Sequence, residues 1–172
     1  MKAFLCWALI ITGFVFSACD DDDSDTSIPA ADRTFIAKAA EANQSEIELG
    51  RLASTKASST DVQDFGTKMV NEHQDAINEL ATIAGSKGVT MPSALNDTHM
   101  ALIQRLNKLE GLEFDTAYMN SQVKDHKLVE SFFQVEINQG EDTDVKAYAN
   151  KYLPHIQEHR MEAEALVIML EP

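Results

Sequence analysis

Three of the chain's five histidines, His73, His126 and His159, fall on apolar helical stripes. His73 stands one turn from both Met69 and Ile77. His126 lies between Val123 and Phe133, with Met119 on the same side. His159 follows Ile156 and precedes Ala163 and Leu166. Residues three and four apart share a helix face, so all three imidazoles are expected to point inward. Their depths along the respective helices agree, and Asn43 and Glu46 reach a similar level on a fourth helix. The expectation is one mid-bundle layer of His73, His126, His159 and Glu46, with Glu72, Glu130 and Glu162 near enough to join it. Two chemistries fit that layer. Imidazoles completed by a carboxylate ligate a single transition-metal ion such as zinc, iron, copper or nickel. The blander arrangement, and the commoner one, is a hydrogen-bonded polar layer that pairs buried groups and fixes helix register. A carboxylate-bridged di-iron centre would need Glu-x-x-His on two helices, and the chain has no Glu-x-x-His.

Other chemistry-bearing residues read as structural. His155 is one turn before His159, but the residues between them are not those of a zinc protease, and His99 reads as a surface residue. Met69, Met119 and Met161 read as gap-filling core. Ser58 with Asp61 three residues later suggests a capping box. Asp115 and Tyr118 are placed to bond each other near a helix start. No ordering of Ser, His and Asp suggests a nucleophile, so no catalytic residue is assigned.

The elements that must position the histidines are helical. Past Pro29 the apolar period is 3.6 almost everywhere, and strand-like alternation is absent. Long helices are expected over about 32–56, 61–84, 112–138 and 142–170, with a short one through about 109 after Asn96 or Asp97. Pro154 should kink the last or force a local adjustment. Four such amphipathic helices close into an all-α four-helix bundle, with the short extra helix in the second connection. That connection is long enough to cross the bundle and give an up-down-down-up order; a short helix that folds back would give up-down-up-down instead.

The N-terminal residues read as an address. Lys2 precedes an apolar run from Ala3 to Phe16, too short to span roughly 30 Å of hydrocarbon. This describes a signal peptide over residues 1–18. Phe16-Ser17-Ala18-Cys19 resembles a bacterial lipobox, which implies that Cys19 becomes the lipidated first residue. Cys6 leaves with the signal, so no disulfide and no cysteine metal site remain. Asp20, Asp21, Asp22, Asp23 and Asp25 then form a like-charged linker over 19–31, either a solvated spacer or a sorting signal. The domain occupies 32–172. With 28 acids against 14 Lys and Arg the net charge is −14, which excludes nucleic acid as the default partner. The acid excess also disfavours direct docking on anionic lipid, leaving the acyl chains as the anchor.

The segment from Phe65 to His73, then Gly111-x-x-Phe114-Asp115-x-x-Tyr118, His126, Leu153-Pro154 and His159, resembles the bacterial domain of unknown function 4142 family. Ala39 to Glu46, Leu49 and Leu52-Ala53 fit the same pattern, so the resemblance covers about residues 32–170. It implies an exported, ferritin-like helical bundle with no settled activity, and it assigns no metal to the histidines. The family's description as outer-membrane proteins implies peripheral attachment by lipid here, because barrel strands are lacking.

Two functions are therefore expected. The first is a non-enzymatic cell-envelope lipoprotein with a binding or structural role, held to the membrane through lipid on Cys19, its partners other envelope proteins. The alternative is a metal-binding or metal-dependent redox protein using the mid-bundle histidines. Replacing Cys19 with Ala is expected to leave the protein unacylated and to move it from the membrane fraction to the soluble one. Lipid labelling and fractionation of expressing cells check both outcomes.

Overall fold

The computed structural model describes residues 28–171. The expected signal peptide, Cys19 and the acidic run lie outside the described residues. Five helices follow in order: α1 (Ala30–Lys56), α2 (Thr60–Ser86), α3 (Asp97–Leu106), α4 (Gly111–Gln139) and α5 (Thr143–Leu170). The long helices have 27 to 29 residues, which makes each about 40 Å long. Among the described residues no helix is long and apolar enough to cross a membrane.

Helix α1 pairs with α2 and α4 with α5, giving two antiparallel hairpins. The ends of the hairpins show how they dock. Asp115, near the start of α4, accepts from the backbone N–H groups of Ser58 and Ser59 at 2.9 Å each, in the α1–α2 joint. Asp32, in the first turn of α1, accepts from the N–H groups of Glu141 and Asp142 at 3.0 Å each, in the α4–α5 joint. Each hairpin thus supplies a buried carboxylate to the other's turn. The start of α4 lies beside the end of α1, so α1 and α5 run one way and α2 and α4 the other. The order is up-down-down-up.

The second connection must then travel the length of the bundle. It leaves α2 through a Schellman turn, where Val89 N–H bonds to the Ala84 carbonyl at 2.9 Å and Gly88 N–H to that of Gly85 at 3.2 Å. Gly88 takes φ 65° there, a conformation costly for any residue with a Cβ. The chain climbs along α1, where the Pro92 carbonyl accepts from Gln44 and Asn96 donates to Glu41. Helix α3 begins with Asn96 Oδ1 accepting from His99 N–H at 3.0 Å, and its apolar side packs near Phe114 and Tyr118.

Within the first hairpin the backbones touch. A Cβ on Gly50 would stand 2.6 Å from the Gly66 carbonyl oxygen, and one on Gly66 2.8 Å from that of Gly50. This contact sets the register of the pair, placing Asn43, two turns before Gly50, opposite His73, two turns after Gly66.

Several expectations are corrected. Ser59 is the N-cap of α2 and its side chain makes no cap bond; Asp115 from α4 serves the joint in place of a Ser58–Asp61 box. Asp115 is thereby committed to the joint, and the Tyr118 hydroxyl is buried without a partner. Pro154 lies inside α5, and the helix is continuous there, the local adjustment being the one hydrogen bond that its missing N–H cannot make. Pro154 is exposed, and so is Asn150 one turn earlier, so the carbonyl that loses its bond faces water. Met161 is 56% exposed, unlike Met69 and Met119, which are fully buried.

The core divides in two. One cluster, toward the α4–α5 joint, gathers Phe35, Leu80, Phe133, Tyr148 and Ile156. The other, toward the α1–α2 joint, gathers Leu49, Phe65, Met69, Phe114, Tyr118 and Leu166. The buried polar residues Asn43, Glu46, His73, Gln122, His126 and His159 separate them. Substituting Asp115 by Ala is expected to destabilise the protein by about 2 kcal/mol, since two part-buried N–H groups lose a charged acceptor. Asp32→Ala should cost less, because the buried Glu136 carboxyl beside it is relieved of a like charge. Urea denaturation of both variants measures the difference.

Candidate metal centre

Helices α2, α4 and α5 each deliver one imidazole to the mid-bundle layer. His73, His126 and His159 are all buried. Their ring centroids are 5.4 to 5.9 Å apart, and one ring nitrogen of each lies within 4.8 Å of those of the other two.

The outer partners fix the tautomers. His73 Nδ1 donates to Asn43 Oδ1 at 2.8 Å, and Asn43 Nδ2 in turn donates to the Tyr148 hydroxyl at 3.0 Å. His126 Nδ1 donates to the Gln122 backbone carbonyl, one turn earlier, at 2.9 Å. His159 Nε2 donates to Glu72 Oε2 at 2.8 Å. A neutral imidazole has one donor and one acceptor. With each donor spent on these oxygens, the lone pairs fall on His73 Nε2, His126 Nε2 and His159 Nδ1. All three of these nitrogens are buried and unpartnered.

Burial keeps the rings neutral. It pushes His73 well below the usual imidazole range, helped by its two neighbours. It brings His126 down to about 3 and lowers His159 against the opposing pull of Glu72. Three lone pairs without a donor cannot satisfy one another, and a single water has only two hydrogens to offer. A cation satisfies all three at once.

The carboxylates of the expected layer are dispersed. Glu46 is buried beside Gln122 but does not join the three nitrogens. Desolvation first, then Asp125, pushes its carboxyl up to about 8. Of the acids adjacent in sequence, only Glu72 reaches a triad histidine. Glu130 pairs with Arg160, and Glu162 with Lys68 at 2.9 Å. Their charges are drawn to cations at the helix seams instead. His155 is 52% exposed, with Nδ1 3.7 Å from Glu72 Oε2. His99 is half-buried against α4, not a free surface residue. Sequence reasoning missed Gln122 and Tyr148. The i−4 spacing of Gln122 from His126 is the signal for the first. Tyr148 reads as plain core from its spacing, and only the fold brings its hydroxyl to Asn43.

The layer makes stability depend on pH in a defined direction. Unfolded imidazoles take up protons near 6.5, whereas His126 resists until about 3. Across that window the unfolded chain binds more protons, so stability falls as pH drops below 6.5. Glu46 acts in the opposite sense, holding its proton up to about 8 against 4.5 when unfolded. Glu136 does the same up to about 7. Three histidines outweigh two acids. Chelator-treated protein is therefore expected to be less stable at pH 4.5 than at 6.5. The Glu46→Gln variant should lose stability more steeply over that interval, as urea titrations at several pH values will show.

The family profile described as domain of unknown function (DUF4142) matches residues 17–166. No curated protein and no solved structure matches the chain.

Proposed function

The chain belongs to the domain of unknown function 4142 family, and we propose that this member is an exported, lipid-anchored bundle that binds one transition-metal ion. The observation that carries this is the trio of buried, unpartnered imidazole nitrogens on three separate helices. His73 Nε2, His126 Nε2 and His159 Nδ1 are the proposed ligands. Three neutral nitrogens suit zinc, copper, iron or nickel and leave a fourth position for water or another small ligand. For zinc, ligand distances of about 2.0–2.1 Å bring the nitrogens to about 3.4 Å of one another, so the rings must draw inward.

The outer bonds fit the same purpose. A ligating histidine ordinarily gives its second N–H to a carboxylate or carbonyl, which orients the ring and raises its basicity. Asn43, Gln122 and Glu72 occupy those places. Glu72 also brings the negative charge that a neutral donor set lacks. Glu46 stands outside this set of ligands.

A hydrogen-bonded layer that only fixes register is the second reading, favoured by the fact that each ring already has one partner. In either case the role is a binding or structural one at the envelope, with lipid on Cys19 as the anchor and the acidic linker as spacer. The full-length chain, purified without an affinity tag, is expected to carry close to one metal ion by mass spectrometry. His73→Ala and His126→Ala should each abolish it, and Glu72→Gln should weaken affinity about 10- to 100-fold. Protein that stays metal-free and refuses zinc, iron and copper would leave the structural layer as the function.

A further inference from the structure

Below the histidine layer, toward the Phe133–Tyr148 core, a cavity of about 340 Å³ opens between α2 and α5. That is the size range of small-molecule sites, and far more room than an ion needs. Ala39, Ala76, Val129 and Ile156 give it an apolar floor. One wall is aromatic. The Phe133 and Tyr148 rings are 6.1 Å apart, and Tyr148 and Tyr152 are 4.6 Å apart. Its charged groups are three acids, Glu72, Asp75 and Glu79, against Lys151, with His155 at the mouth and Asn43, His73 and His159 on the inner side.

The protein's own ammonium shows what this surface accepts. Lys151 Nζ sits 5.1 Å from the Tyr152 ring centroid and pairs with Glu79, whose carboxylate also accepts from the Tyr152 hydroxyl at 2.8 Å. A ring face with a carboxylate beside it is the arrangement that holds alkylammonium groups. Lys151 answers only one of the three acids. Glu72 accepts from His159 through Oε2 alone, Asp75 lines the mouth beside it, and the charge of the two disfavours an anionic guest.

We propose that this cavity binds a small organic cation, a primary or quaternary ammonium carrying an aromatic or aliphatic body. The body lies on the Phe133–Tyr148–Tyr152 wall and over Ala76, with the ammonium at the Glu72 and Asp75 carboxylates. The site adjoins His73 and His159 but needs no metal, so its test stands apart from metal analysis.

A matched pair of probes decides the matter. The full-length chain, stripped with chelator, is titrated at neutral pH and low salt with 2-phenylethylammonium and with 3-phenylpropionate, which share a phenyl body and differ in charge. Calorimetry is expected to show the cation binding at least about tenfold more tightly. Asp75→Asn, an exposed substitution that leaves the core untouched, should weaken the cation several-fold. Ala76→Leu should abolish its binding by filling the cavity, with helicity by circular dichroism confirming the fold. Equal binding of the two probes, no binding of either, or cation binding indifferent to Asp75→Asn would each overturn the proposal.

Discussion

Two buried carboxylates hold the hairpins together end to end. Asp32 reaches from the start of α1 into the α4–α5 joint, and Asp115 from the start of α4 into the α1–α2 joint. A buried carboxylate without its donors is costly, so Asp32 and Asp115 are satisfied only when the hairpins are docked in one register and one direction. That mutual dependence selects up-down-down-up over the alternative order. It also brings residues far apart in the chain to a common height. The histidine layer is a consequence: three rings from α2, α4 and α5 meet because the tips are locked.

The layer has an energetic character of its own. It interrupts what would otherwise be one continuous apolar core, and it does so with groups that burial keeps neutral. A purely structural layer would be expected to close its hydrogen bonds internally, since half-satisfied buried networks are destabilising. Here the outer side is closed and the inner side is open. Glu46, Gln122 and Tyr118 add further buried atoms without partners in the adjoining turn of the bundle. The three rings thus share one pattern, an outer nitrogen that is bonded and an inner one that is not.

Much of this was legible in the residues. The 3.6-residue period carried the four long helices and the short one, and the spacing of His73, His126 and His159 within apolar stripes carried their inward direction. Glu46 shares the depth of the layer but lies beside Gln122, because depth along a helix says nothing of which neighbour a side chain meets. The Gly50–Gly66 contact sets that, and it delivers Asn43 to His73. The capping box failed for a related reason. Ser58 and Asp61 satisfy a local rule, but a carboxylate from a distant helix took the position first. Met161 shows the same limit, since one apolar residue in a stripe is not always on the side that gets covered. What sequence could not show was everything that depends on a partner more than a few turns away.

The reciprocal clamp also has a mechanical meaning. Tension arriving along the residues before Ile28 would enter at the first turn of α1, where Asp32 is already gripped by the opposite joint. The pull would be shared at once between both hairpins, loading their seams in shear along about 40 Å of helix. A bundle fastened in that way resists being peeled open from its N-terminal end, and its midsection stays in register while that end bears the strain.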